Sequence, residues 1–144
     1  MLIEFGGDGR PTLGVEWEFA LVDKVTRDLV NAAPELFELT TQRHGEQPRL
    51  HKELLLNTVE LTTGICNTVA EAADELTELI ALVGPVADSL GVDLYGAGTH
   101  PFAQWSHQLL TPGHRYEELI NRTQWWGRQM LIWGVHMHVG VPQH

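Results

Sequence analysis

Little in this sequence can cross-link, bind polyanions or enter a membrane. A single cysteine, Cys66, rules out a disulfide within the chain, and no apolar run follows a basic start at Met1, so the expected setting is the cytoplasm. Lys and Arg number only 9 against 19 Asp and Glu, and the net charge of -10 repels nucleic acid and anionic membrane surfaces. The most apolar stretch is broken by Glu or Asp every few residues, which excludes a helical membrane span. No G-x-x-x-x-G-K-[ST] loop occurs, so a P-loop cannot hold a nucleotide here. Internal repeats and low-complexity segments are absent too. What remains is a chain of 144 residues, 43% hydrophobic, enough to bury the core of one domain over residues 1–144.

That chain is organised around Thr12 to Val22. Read as a strand, it puts Leu13, Val15, Trp17, Phe19 and Leu21 on one face and Glu16 with Glu18 on the other. Carboxylates on so apolar a strand call for a solvated face, an arginine or lysine, a hydrogen-bond donor or a metal ion. Two later segments repeat the arrangement. Within Glu53 to Thr63, the second half reads as a strand with Thr58, Glu60 and Thr62 on one face and Asn57, Val59 and Leu61 on the other. In Gly134 to Val141, Val135, Met137, Val139 and Val141 alternate with His136, His138 and Gly140, so two imidazoles share a face about 7 Å apart.

The connecting segments read as scaffold. Gly6 to Gly9 marks a turn, as does Asp23 to Asp28, and Leu29 to Asn31 begins a return strand. Pro34 to Leu39 reads as a short helix, followed by a loop over Gln42 to Pro48. Asn67 or Thr68, the latter spaced with Glu71 as a capping box, caps a long helix whose stripe is Val69, Ala73, Leu76, Ile80, Val83, Ala87 and Leu90. Gly84-Pro85 should kink it and Gly91 should stop it. Val92 to Ala97 reads as a strand running into Gly96-Ala97-Gly98-Thr99-His100, where small residues would admit a ligand or another chain. Thr111-Pro112 opens a helix that runs to about Met130 and carries Arg115, Arg122 and Arg128 as candidate anion holders.

A set of carboxylates with one or two histidines and no thiolate suits magnesium or manganese better than structural zinc. Several carboxylates around divalent ions suit phosphoryl chemistry on a nucleotide triphosphate. Gly14-Val15-Glu16-Trp17-Glu18, Val59-Glu60-Leu61-Thr62-Thr63, Gly98-Thr99-His100-Pro101-Phe102 with Trp105, Arg115-Tyr116 and His136-Met137-His138-Val139-Gly140 resemble the ordered motifs of the glutamate-cysteine ligase type 2 (carboxylate-amine ligase) family, from about residue 12 onward. The resemblance implies an α+β fold like that of glutamine synthetase: a curved, mainly antiparallel sheet with helices packed on one face, here its N-terminal part.

It further implies ATP-dependent amide formation. The γ-carboxylate of glutamate attacks ATP, and an amine such as cysteine displaces the resulting acyl phosphate. By motif position Glu16, Glu18 and His136 are catalytic, and Glu16, Glu18, Glu60 and His136 ligate Mg2+ or Mn2+. His138 and Arg128 meet the nucleotide, Thr99 and His100 the substrates, and Glu53 ranks after them. Because family members continue well past this chain's length, the 144-residue piece is expected to show little or no turnover. Two other readings compete. One is a noncatalytic domain that binds metal or nucleotide or forms a homo-oligomer across an open sheet edge; the other is a metal-dependent hydrolase.

Overall fold

The computed structural model describes residues 10–141. Its central element is β1 (Thr12–Asp23), whose alternating pattern pairs on both edges. Along one edge runs β3 (Thr58–Thr62), antiparallel, with Glu18 opposite Glu60 and Trp17 opposite Leu61. β2 (Leu50–Lys52) adds antiparallel beyond β3. The other edge of β1 is shared end to end by two strands, both antiparallel. β5 (Val135–Gly140) faces Thr12 to Trp17, while β4 (Val92–Tyr95) faces Ala20 to Asp23. An antiparallel sheet with helices is thus present, as its α+β class requires.

Two helices close the apolar face. α1 (Ala33–His44) and α2 (Val69–Ser89) bring Leu36, Leu76, Leu79 and Val83 against Val15, Phe19, Leu21, Val59 and Leu61. Leu21, Leu36 and Leu61 are fully buried, each contributing roughly 1.5–3 kcal/mol of transfer free energy. A smaller cluster of Ala20, Leu55, Leu131 and Trp133 fills the opposite face beside the carboxylates. Trp133 satisfies its indole N–H there by donating to the Thr58 hydroxyl at 2.8 Å. α3 (His114–Thr123) and α4 (Trp125–Arg128) follow, and Leu119 and Tyr116 of α3 reach that same side of the sheet. Among the described residues no helix is long and apolar enough to cross a membrane.

The connections differ from the sequence reading in several places. Thr68 does cap α2, accepting from the Glu71 amide at 3.1 Å, and Gly91 ends it in the left-handed region at φ 73°. The buried stripe, however, runs through Ala72, Leu76, Leu79, Val83, Val86 and Ala87; Val69 is exposed. α2 is apolar over more than one face, so its spacing admits a neighbouring register, and the sheet selects between them. Pro85 lies inside a single uninterrupted helix. α1 runs about a turn past Leu39 into the segment read as loop, because Thr40 packs in the core despite its β-branch.

Val22 pairs with Leu29 as an isolated bridge, which is the return strand in its shortest form. β2 carried no periodic signal at three residues. β4 ends at Tyr95, and the segment holding Trp105 contains a 3-10 turn, Trp105–His107. The helix read over 111–130 starts at His114 and breaks at Gln124, whose φ of 53° no right-handed helix accommodates. The Gly6 to Gly9 turn lies outside the described residues.

Candidate metal centre

β1 delivers Glu16 and Glu18 to one face because a strand repeats every two residues. Register supplies their neighbours. Glu60 of β3 lies directly opposite Glu18, and His136 and His138 of β5 lie opposite Glu16 and Gly14. Glu16 faces both imidazoles, His136 Nδ1 at 3.5 Å from Oε2 and His138 Nε2 at 3.2 Å from Oε1. A fourth carboxylate, Glu53, comes from the segment joining β2 to β3. Two overlapping ligand sets result, Glu16 with Glu60 and His136, and Glu18 with Glu53 and Glu60; within each, one ligand atom per residue lies within 4.8 Å of the others.

The electrostatics of this cluster are unfavourable without a cation. Like charges placed directly across an antiparallel pair repel. Burial pushes the Glu60 carboxyl up to about 7, with further upward pressure from Glu53, Glu16 and Glu18 against a downward pull from His136. Glu18 is raised too, chiefly by burial, although the Gly134 amide donates to its Oε2 at 2.8 Å and opposes the shift. Among the described residues, no lysine or arginine forms an ion pair with Glu18, Glu53 or Glu60. A group that is acceptor-only, crowded and unpaired by side-chain cations fits a hard divalent ion, and the oxygen-rich set with one imidazole and no thiolate fits magnesium or manganese.

Two cavities adjoin the cluster. One, about 640 Å³, is lined by Glu16, Glu60, His138, His51 and the Gly14 backbone. The second, about 230 Å³, sets Glu18, Glu53 and His136 against an apolar wall of Leu119, Met130 and Ile132. His51 escaped the sequence reading; it faces Glu60 in register and its Nε2 lies 3.1 Å from the Thr62 hydroxyl. Three strands therefore bring Glu16, Glu18, Glu60, His136 and His138 together, and Glu53 joins them more closely than its rank in the sequence suggested.

Thr99, His100 and Arg128 are placed elsewhere. The Thr99 hydroxyl donates to the Leu131 carbonyl at 2.8 Å. His100 is a pin: its Nε2–H donates to the Arg27 carbonyl at 2.9 Å while Nδ1 accepts the Ala103 amide at 3.0 Å, which fixes the tautomer by the partners it has. Arg128 ends α4 at the surface and lines neither cavity. The small residue Gly96 is approached by the chain's own Trp17 and Phe19 rings, which would lie 3.2 and 3.3 Å from a Cβ there. Of the candidate anion holders on the helix, Arg122 pairs with Glu118 and Arg115 lies over the Tyr116 ring.

Known proteins resemble this chain in sequence and in fold. The family model for glutamate-cysteine ligase family 2 (GCS2) matches residues 12–144. A protein from a Nocardioides species named "Putative glutamate--cysteine ligase 2-3" is 61% identical over 143 residues, covering 99% of this chain and 38% of that protein. One from Rhodococcus jostii, "Putative glutamate--cysteine ligase 2-2", is 64% identical over 142 residues, 98% of this chain and again 38% of the relative. The chain thus spans well under half the length of the curated relatives it matches. Among solved structures, the crystal structure of glutamate-cysteine ligase from Francisella tularensis in complex with AMP superposes with a TM-score of 0.70 at 17% identity, over 95% of this chain and 28% of that one, a likeness of fold. With its family model matched over residues 12–144, nearly the whole of the sequence, the chain belongs to glutamate-cysteine ligase family 2.

Proposed function

We propose that the chain supplies the metal-binding wall of an ATP-dependent carboxylate-amine ligase, which joins the γ-carboxylate of glutamate to an amine such as cysteine. The observation that carries this reading is the convergence of Glu16, Glu18, Glu53, Glu60 and His136 with, among the described residues, no lysine or arginine ion-pair partner for any of the four carboxylates. Glu16, Glu60 and His136 would hold one divalent ion and Glu18, Glu53 and Glu60 a second. Such ions neutralise charge on the β- and γ-phosphates of ATP, so that a carboxylate can approach the terminal phosphorus. The chain's residues do the holding: Glu60 is shared between the two sets, Gly134 fixes one Glu18 oxygen, and Glu16 orients the imidazoles.

His138 lines the larger cavity and would meet the phosphates there. The AMP named with the Francisella structure supports adenine-nucleotide use. Thr99 and His100 are left as structural residues, because their side chains bond to other parts of the fold, and Arg128, exposed at the end of α4, is given no role.

Replacing Glu16 or Glu18 with Gln should weaken magnesium-dependent ATP binding by about 10-fold or more, measured by calorimetry on the folded chain. Unchanged affinity in both variants would sink the proposal. With glutamate, cysteine, saturating ATP and magnesium, the 144-residue chain is expected to bind nucleotide but release little ADP, and robust ADP release would show that it needs no further wall.

A further inference from the structure

Glu53 is the one member of the cluster that no strand positions. It follows the last residue of β2 and precedes β3, in a connector that must be held some other way. The hydrogen bonds there are unusually concentrated. Three successive carbonyls, of Lys52, Glu53 and Leu54, accept in turn from the Tyr116 hydroxyl at 2.8 Å, the Thr111 hydroxyl at 2.5 Å and the Thr111 amide at 2.9 Å. One residue further on, Leu55 bridges Leu110, and the Leu56 amide donates to the Leu109 carbonyl at 2.9 Å. The stretch 109–116 grips 52–56 along its length.

One of these bonds bears directly on the carboxylate. The Glu53 carbonyl and the Leu54 N–H are two ends of a single planar peptide unit, so holding one end orients the other. The Thr111 hydroxyl holds the carbonyl end, and Glu53 Oε2 accepts from the Leu54 N–H at 3.1 Å. Thr111 is itself buried, and its amide is fixed on Leu54. Its position at the head of a helical segment, with Pro112 next, reads in sequence as a cap. Instead its hydroxyl is spent on Glu53.

We infer that Thr111 and Tyr116 are positioning residues for Glu53, aiming its carboxylate at the divalent ion it shares with Glu18 and Glu60. This rests on the metal-binding reading above. Neither residue touches the ion. Thr111 acts through the peptide unit that orients the carboxylate, and Tyr116 acts through the carbonyl before it. The stretch from Thr111 into α3 would thereby orient a ligand of the second ion without itself supplying one.

The test is Mn2+ titrated alone into the folded 144-residue chain, followed by the paramagnetic signal of the free ion. Two ions are expected to bind. The pair Thr111→Val with Tyr116→Phe, which removes both hydroxyls and keeps the Thr111 amide, should weaken one of the two by about 10-fold and leave the other. Glu53→Gln should weaken the same ion, and combining it with the pair should add less than about two-fold, because the pair acts only through Glu53. Thr111→Ser, which keeps the hydroxyl, should bind as the parent does.

A residue that merely supports the fold would weaken both ions, or would weaken binding further in the Glu53→Gln background, and either result overturns the inference. It is overturned as well if the pair retains both ions while Glu53→Gln loses one, which leaves the metal reading standing. If the parent chain binds no Mn2+ at all, the metal reading falls and this one with it.

Discussion

Glu60 has an oxygen in each ligand set, and its carboxyl titrates at about 7 in place of its ordinary 4.5. A carboxyl raised in the folded state keeps its proton after the unfolded chain has lost it. Stability from this group is therefore full below pH 4.5 and is lost as pH rises toward about 7. The loss is on the order of 1 kcal/mol once solvent screening of a partly open site is allowed for. Denaturant unfolding of the metal-free chain should show this decline across that window, and Glu60→Gln should flatten it. Mn2+ reverses the preference by binding the ionised form, so ion affinity should rise with pH up to about 7 and then level off. An affinity independent of pH between 5 and 8 would mean that Glu60 releases no proton to solvent when the ion binds. Glu16, Glu18, Glu60 and the two histidines were legible because each lies in a segment with period two, whose face can be read by counting. Glu53 ranks last in the sequence reading and His51 escapes it, since a connector and a three-residue strand have no period to count. The pairing of β2 with β3 brings in His51, and the hold of 109–116 on 52–56 brings in Glu53.

α2 shows the limit of counting at the level of an element. Its length, its Thr68 cap and its Gly91 stop are all local chemistry, and all three stand in the structure. Its buried face is a tertiary outcome. A helix with apolar residues at 69, 72, 73, 76, 79, 80, 83, 86 and 87 carries two overlapping stripes, and the one that meets the sheet includes Leu79 and Val86 while leaving Val69 in solvent. Leu79→Ala should cost about 2–4 kcal/mol by loss of contacts and a residual cavity, and Val69→Ala should change stability by less than about 0.5 kcal/mol. Urea unfolding of the two variants measures this, and equal costs would restore the stripe read from sequence. The helix before β5 failed for a related reason. Thr111-Pro112 is a sound start signal, but the Thr111 hydroxyl finds a stronger use on Glu53, and the helix begins at His114, two residues beyond the proline.

Across the molecule, β5 is the least anchored part of the sheet that carries the site. All six of its residues are exposed, and Val135, Met137 and Val139 stand in solvent on the face opposite the histidines. Among the described residues its ladder partner is β1 alone, whereas β1 is flanked on both edges and backed by α2. A strand with one partner and little buried area opens at low free energy. An ion held by Glu16 and Glu60 from the interior strands and by His136 from β5 would tie that strand to the core, and binding to the closed form stabilises it by mass action. Amide hydrogen exchange over Val135 to Gly140 should therefore be fast in the metal-free chain, faster than over Trp17 to Leu21. Saturating Mn2+ should slow it by about 10-fold or more, since an ion present at 100 times its dissociation constant adds about 2.7 kcal/mol to the closed form. His136→Ala should remove most of that protection without changing exchange in β1. Protection that survives the substitution would place the ion on β1 and β3 alone, with β5 held in place by backbone pairing and the imidazoles left to the nucleotide.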